Sequence, residues 1–167
     1  ANYRTNDNVS LVLADIRMLP CSKINADGCL ILGRVFSKML SDKDARNTLD
    51  GVSRNLSSGS NVVFNTFRRD DLVDNMTKEQ AWENNNFKVV RESSTDVKDR
   101  DTGYMNISMN YEIYNKDTGG SVSASETFDL KGYNRSDIDR IKPDNLDIID
   151  VEPNNKRSTI FFNMKKV

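Results

Sequence analysis

The stretch that decides the fold is residues 104–130, YMNISMNYEIYNKDTGGSVSASETFDL. Its first part alternates strictly, with one face formed by Met105, Ile107, Met109, Tyr111 and Ile113 and the other by mostly polar side chains. A period of two predicts a β-strand with one buried face. NKDTGG is typical of a hairpin turn, and the following residues return with Val122, Ala124, Phe128 and Leu130 on the matching side. The stretch therefore predicts an antiparallel hairpin.

The residues on either side of this hairpin extend the predicted sheet. DIIDV at 147–151 and STIFFNM at 158–164 flank the turn sequence PNNK, which predicts a second hairpin at the end of the chain. FKVV at 87–90 predicts a short strand. The polar residues 91–103 are interpreted as a mobile surface loop.

The first half of the chain shows helical spacing. A helix beginning near Asp27 is predicted from apolar residues at Leu32, Val35, Phe36, Met39 and Leu40. A narrower stripe predicts a second helix over residues 44–56, ended by SSGS at 57–60, and a capping box at 77–80 predicts a third, leading to Trp82. RRDDLVDNM, from residue 68, is typical of a helical turn, while residues 9–19 and 61–67 are predicted to be strands.

These elements predict a single α+β domain over residues 1–167, with helices mainly in the first half and an antiparallel sheet with hairpins in the second. Residues 1–8 are expected to form an N-terminal arm. The length is sufficient for one sizeable core.

The charges are almost balanced, since 24 Lys and Arg face 25 Asp and Glu for a net charge of −1. Strong general attraction to nucleic acid or to an anionic membrane is therefore not expected, and any such contact would need a local basic patch. A net charge near zero also makes self-association easier, so a homo-oligomer is expected.

The cysteines and sequons favour a chain that does not pass through a glycosylating secretory route. Cys21 and Cys29 are expected to be free thiols, because two cysteines do not supply the disulfide framework of a small secreted fold. Five Asn-x-Ser/Thr sequons fall partly in predicted regular structure, where a glycan would obstruct packing. No apolar run approaches a membrane span, so a soluble protein is expected.

The sequence lacks the residues of the common catalytic sites. There is no His, which removes the usual triads and most zinc sites. No Gly-rich phosphate loop is present. No catalytic, metal or cofactor-binding residue is therefore assigned. Two sets of acidic residues could hold a magnesium ion, which leaves a magnesium-dependent enzyme as an alternative. The first set is Asp70, Asp71 and Asp74, and the second is Asp147, Asp150 and Glu152.

Aromatic and basic residues supply a candidate interaction surface. Tyr104 and Tyr114 on the polar face of the strand could stack bases, which leaves single-stranded nucleic-acid binding as another alternative. Basic side chains complete the candidate set, at Arg135, Lys156, Arg157, Lys165 and Lys166. They could contact RNA or an anionic membrane.

The order of elements resembles that of rhabdovirus matrix proteins, particularly the short ones of plant rhabdoviruses. The residues that carry the resemblance are VSLVLADIRML, CLILGRVFSKML, NISMNYEIYNKDTGG and the C-terminal hairpin. RRDDLVDNMTKEQ followed by YMNISMNYEIYNKDTGG is similar, in turn, to bacterial envelope lipoproteins of the curli-secretion and penicillin-binding-protein-activator type, which leaves a bacterial envelope or phage interaction module as an alternative.

The resemblance to matrix proteins implies a non-enzymatic viral structural protein. Such a protein would self-associate and contact nucleoprotein or another virion component, in the virion or the host cytoplasm.

Overall fold

The computed structural model describes residues 13–19, 24–154 and 158–167. They form a mixed α/β fold of two α-helices and two four-stranded sheets. The helices are α1 (Asp42–Asn55) and α2 (Arg135–Ile141). The strands are β1 (Ala26–Ile31), β2 (Leu56–Phe67), β3 (Thr77–Glu83), β4 (Phe87–Asp99), β5 (Tyr104–Asn115), β6 (Ser121–Lys131), β7 (Leu146–Asn154) and β8 (Thr159–Lys166).

The first sheet, sheet A, has the order β1-β2-β8-β7. β1 pairs with β2 in parallel, and α1 lies in the connection between them, as a parallel crossover requires. β8 pairs antiparallel with both β2 and β7. β1 is therefore an edge strand among the described residues.

The core lies on one face of sheet A, under α1 and α2. An aromatic cluster occupies its centre, where the rings of Phe36 and Phe64 are 4.4 Å apart and those of Phe64 and Phe162 are 5.0 Å apart. Tyr133 packs edge-on against Phe36 at 5.4 Å and is fully buried. Such contacts add to the stabilisation from apolar burial.

The second sheet, sheet B, is an antiparallel meander with the order β3-β4-β5-β6, inserted in the chain between β2 and β7. Its base packs a smaller core of Leu72, Met105, Ile107 and Leu130. The long strands β4 and β5 extend well beyond that cluster.

Six predicted elements are confirmed, among them the strands over 61–67 and 87–90, which lie within β2 and β4. The helix over 44–56 is α1, whose stripe of Ala45, Leu49 and Val52 is buried. Both predicted hairpins are present, as β5–β6 and β7–β8. A short 3-10 helix at Arg69–Asp71 is the predicted helical turn.

The predicted helix near Asp27 is wrong. Its first residues form strand β1, and Gly33 and Arg34 then take positive φ values of 73° and 62°, which end regular structure before a 3-10 turn at Val35–Lys38. Pairing with β2 outweighs the helical spacing, because the parallel ladder satisfies the backbone of this segment and tertiary contacts override a local helical pattern.

Two further predictions are also wrong. Residues 91–103 are mainly strand β4 rather than a loop, since residues 91–99 pair with β5 along the backbone ladder. The residues of the predicted capping box begin strand β3 rather than a helix. As predicted, α1 ends before SSGS at 57–60, which lies within β2.

The structure also corrects the N-terminal part and the distribution of helices. The described part of the predicted strand over 9–19 contains a 3-10 helix at Ile16–Met18, because the Asp15 carboxylate accepts a bond from the Arg17 backbone N–H and caps it. The rest of that strand and the expected arm at 1–8 lie outside the described residues. Helices are not concentrated in the first half, since α2 precedes β7.

Candidate functional site

The candidate site lies where β1 and β2 end, because ligands of open sheets with parallel strands bind outside the carboxyl ends of those strands. The left-handed turn at Gly33 and Arg34 sets the end of β1. The Arg34 backbone N–H donates to Asn65 Oδ1 at 3.0 Å, which ties this turn to β2.

The Arg34 side chain lies across the same end of sheet A. Its guanidinium is 4.3 Å from the centre of the Phe67 ring, and its Nε donates to Thr159 Oγ1 at 3.2 Å. Stacking and hydrogen bonding therefore fix the cation at the sheet end. An adjacent open cleft of about 350 Å³ is lined by Gly33, Arg34, Asn65, Asn154, Thr159 and Phe161.

A second open cleft, of about 390 Å³, lies beyond the end of β2, lined by Arg69, Asp70, Arg100 and Asp101. We call it the Arg69 cleft. Arg69 Nη1 donates to Asp137 Oδ1 at 2.9 Å and to the Asp101 carbonyl at 3.1 Å. Two arginines and two aspartates balance each other here, so the cleft suits a polar ligand with both donors and acceptors better than a strongly charged one.

Two glycines bring sheet B against this cleft. The Gly132 N–H donates to the Gly103 carbonyl at 2.9 Å, and the Tyr133 N–H donates to the Phe67 carbonyl at 2.8 Å. A Cβ on Gly103 would lie 2.5 Å from the Gly132 carbonyl oxygen, and one on Gly132 would lie 3.1 Å from Arg69 Cα. The backbones approach too closely for a side chain.

The titratable groups with shifted pKa values near these elements do not favour proton transfer at neutral pH. Burial raises the pKa of the Cys29 thiol, so little nucleophilic thiolate is present. Burial also raises the pKa of Tyr133, whose hydroxyl donates to the Met39 carbonyl. The hydrogen bond to Asp129 raises the pKa of Tyr104.

The structure does not bring the candidate interaction residues together. Tyr104 and Tyr114 lie near opposite ends of β5, ten residues and so roughly 34 Å apart. Arg135 begins α2 and pairs with Asp139 at 3.6 Å. Lys156 and Arg157 lie outside the described residues.

The two C-terminal lysines have different environments. Lys165 is exposed on β8. Lys166 Nζ donates to the carbonyls of Ser53 and Leu56 at 2.9 and 2.6 Å, so it caps the end of α1.

Two negative findings hold for the residues that the structure describes. They contain no group of three Asp, Glu, Cys or His side chains placed to hold a metal ion, so neither acidic set forms a site. No described helix has the length and apolar character needed to cross a membrane.

The sequence does not identify Arg34, Asn65 or Arg69 as site residues. Arg34 falls inside a predicted helix, although the apolar run CLIL before Gly33 is also consistent with a short parallel strand. Such a strand places Arg34 just after its end.

The fold is shared with solved methyltransferases, although no family model and no curated protein matches the sequence. CalS10 of Micromonospora echinaspora, an S-adenosylmethionine (SAM)-bound amino pentose methyltransferase, matches with a TM-score of 0.78, 13% identity and 92% of this chain. DesVI of Streptomyces venezuelae matches with a TM-score of 0.79 and 9% identity over 92% of this chain. KedS8 of a Streptoalloteichus species, a sugar N-methyltransferase, matches with a TM-score of 0.72 and 13% identity over 89% of this chain. This chain covers 63%, 64% and 60% of those three chains, respectively.

These matches overturn the functional interpretation of the sequence. The likeness to rhabdovirus matrix proteins is wrong, since the structural neighbours include methyltransferases and CLILGRVFSKML contains strand β1 and a 3-10 turn rather than a helix. The expectation of a non-enzymatic viral structural protein is wrong too, because the structural neighbours include SAM-dependent methyltransferases. The three alternative functions do not fit these structural matches either. They are a bacterial envelope or phage interaction module, a magnesium-dependent enzyme and a single-stranded nucleic-acid-binding protein. The described residues have the fold of about three fifths of a SAM-dependent methyltransferase.

Proposed function

We propose that this chain is part of a SAM-dependent methyltransferase. The observation that carries the proposal is the fold match over 92% of the chain, which spans sheet A and the inserted sheet B together. At 13% identity the match concerns the fold, so the activity is our inference from it.

The described residues do not enclose a cofactor by themselves. Both clefts at the carboxyl end of sheet A are open. No described strand pairs with the outer edge of β1, so that side of the sheet end is not closed. Arg34 and Asn65 would shape one wall of the site, and the Arg69 cleft would lie beside it.

The free edge of β1 supports the idea that more polypeptide completes this site. Parallel strands are normally covered on both faces and paired on both sides. Here Leu30 is 70% exposed and Leu32 is 48% exposed, at an edge with no lysine or proline to block pairing. We propose that a strand from outside the described residues pairs along β1, from the same protein or from a partner chain.

The substrate class is proposed from the same neighbours and the Arg69 cleft. CalS10 acts on an amino pentose and KedS8 is a sugar N-methyltransferase. The carboxylates of Asp70 and Asp101 could accept bonds from hydroxyl and ammonium groups, while Arg69 and Arg100 could donate to ring and hydroxyl oxygens. An amino sugar is therefore the substrate class to test first.

Calorimetric titration with SAM tests the proposal, using the natural polypeptide that contains this chain, purified with any partner that accompanies it. We expect binding by that polypeptide and much weaker binding by the 167 residues alone. Leu30→Lys should weaken binding, because it charges the β1 edge, whereas Ser125→Lys on β6 should not. Methylation of amino sugars would then be followed by mass spectrometry.

The outcomes separate the two parts of the proposal. Absence of SAM binding by the natural polypeptide would overturn the methyltransferase assignment. Equal binding by the 167 residues alone would keep that assignment but remove the need for a strand along β1.

A further inference from the structure

Sheet A with its two helices and sheet B are two units, each with its own hydrophobic core. The main core lies under α1 and α2, and the smaller core of Leu72, Met105, Ile107 and Leu130 lies at the base of sheet B. Phe67, the last residue of β2, is half-buried and packs against the smaller core. Units with separate cores turn relative to one another unless a large apolar interface joins them.

The chain passes between the two units twice, and both connections cross at one point. One connection leads from β2 to β3 and the other from β6 to α2. The Tyr133 N–H donates to the Phe67 carbonyl at 2.8 Å, so the two connections run side by side. Gly132 lies against the Arg69 backbone, where a Cβ on the glycine would be 3.1 Å from Arg69 Cα. We call the junction formed by these four residues the pivot.

Charged side chains make further contacts between the two units. Lys131 Nζ, on β6, donates to Asp42 Oδ1 at the start of α1 at 2.9 Å, and Asp42 also accepts from Arg140 of α2. Lys38 Nζ lies 5.2 Å from the centre of the Phe128 ring on β6. Such contacts exchange for contacts with water at a small net cost, unlike the burial of apolar side chains. Asp42 therefore holds sheet B to both helices by bonds that can open.

The Arg69 cleft lies between the two units. Arg69 and Asp70 follow β2, whereas Arg100 and Asp101 belong to the turn between β4 and β5. The hydrogen bond from Arg69 Nη1 to the Asp101 carbonyl, at 3.1 Å, spans the two walls. A rotation of sheet B about the pivot therefore changes the distance between one wall of the cleft and the other.

We infer that sheet B turns as one unit about the pivot and so opens and closes the Arg69 cleft, while the contact between Asp42 and Lys131 fixes its angle. Hinge motion needs backbone changes at only a few residues. β5, Tyr104–Asn115, spans roughly 36 Å, so a rotation of about 10° moves its far end by roughly 6 Å. The use of the cleft for substrate rests on the proposed function, whereas the motion does not.

Pulsed electron paramagnetic resonance between two spin labels measures this motion in the 167-residue chain. The labels are attached through Ser121→Cys, near the far end of sheet B, and Arg46→Cys on α1, at two exposed positions. Cys21→Ser and Cys29→Ala remove the native thiols. At low salt this pair of labels gives one narrow distribution of distances.

Loss of the Asp42 contact should release the hinge. Asp42→Asn and Lys131→Met each broaden the distribution and shift its mean by up to roughly 6 Å. About 1 M NaCl has the same effect on the chain that keeps both residues, because the Debye length falls to about 3 Å.

Two controls separate hinge motion from a general loss of structure. Asp139→Asn removes an ion pair with Arg135 that lies within α2, at 3.6 Å, and leaves the distribution narrow. A second pair of labels, at Arg46→Cys and Asp144→Cys, lies within the unit of sheet A and keeps its distance in every variant.

Two results overturn the inference. One is a distribution for the first pair of labels that stays narrow in both Asp42→Asn and Lys131→Met, since the junction would then be rigid. The other is equal broadening for the second pair, since the substitutions would then loosen the whole fold. Neither measurement requires SAM, so failure of the methyltransferase assignment would leave the hinge in place.

Discussion

The guanidinium of Arg69, just after β2, is joined to the Asp137 carboxylate in the first turn of α2, with 2.9 Å between Nη1 and Oδ1. The same carboxylate accepts from the Asn134 backbone N–H through Oδ2 at 2.8 Å. One aspartate thus connects the end of sheet A to the start of a helix that follows sheet B in the chain.

Loss of the Arg69 side chain should destabilise the fold. Asp137 is only 9% exposed in its side chain, so Arg69→Leu leaves a nearly buried carboxylate without its main partner. We expect a decrease of about 2 kcal/mol in the free energy of unfolding, measured by urea denaturation. Arg135→Leu removes an exposed pair and should change stability by less than about 0.5 kcal/mol. Equal effects of the two substitutions would contradict this role for Arg69.

A side chain at Gly103 should disrupt the junction between the two sheets. Gly103 has a φ of 75°, and a Cβ there would meet the Gly132 carbonyl at 2.5 Å. Gly103→Ala should therefore cost about 3 kcal/mol or more. Gly119→Ala is the matched control, because its φ is 69° but the space around it is open, and it should cost about 1 kcal/mol. Thermal unfolding of both variants distinguishes close contact from backbone strain alone.

Stability should depend on the ionised Asp42 carboxylate in acid. The hydrogen bond from Arg140 and then that from Lys131, at 2.9 Å, lower the pKa of Asp42 below its ordinary 3.8. A lowered folded-state pKa means that this stabilisation is present above pH 3.8 and is lost as the pH falls through the folded-state value. The side chain is 39% exposed, so solvent screening keeps the effect small.

Melting curves of Asp42→Asn against the original chain check this dependence. The variant should melt at lower temperature near neutral pH, and the difference should shrink as the pH falls below 3.8. Asp144→Asn is the control, since Asp144 is exposed. A difference that stays constant down to pH 2 would show that the charge of Asp42 is not responsible.

The Cys29 thiol should react slowly in the folded chain. It lies on β1, half-buried against the main core, and burial raises its pKa. In a Cys21→Ser variant, labelling by an aromatic disulfide should be at least about tenfold slower than in urea. The rate should keep rising above pH 9.0, the ordinary value for this thiol. Labelling as fast as in urea would mean that β1 does not stay paired.

The sequence predicts those elements whose burial follows a simple period. α1 buries Ala45, Leu49 and Val52 on one side, and β5 alternates between a buried Met105 and an exposed Asn110. Only the first four residues of β4 are predicted, as FKVV, because both faces of the rest of the strand are largely polar and hydrophobic periodicity gives no signal there. β1 was missed because its partner Val63 lies 33 residues from Leu30, and spacing within a short window cannot show that pairing.

The candidate site was less predictable than the fold. Arg34 meets Thr159 across 125 residues of sequence and Asn65 across 31. Each residue type is common, and none of them has a characteristic spacing to the others. Only the parallel pairing of β1 and β2 identifies the end of sheet A at which Arg34, Asn65 and Thr159 lie close together.

The insertion of sheet B within sheet A has a consequence for the order of folding. The meander joins neighbouring strands through short turns, so its contacts close small loops. Val63 and Asn163, in contrast, pair across 100 residues. The entropy lost on closing a loop grows with its length, and distant pairings slow folding. β3 to β6 should therefore gain structure first and shorten the effective loop between β2 and β8, so that docking of β8 is the late step.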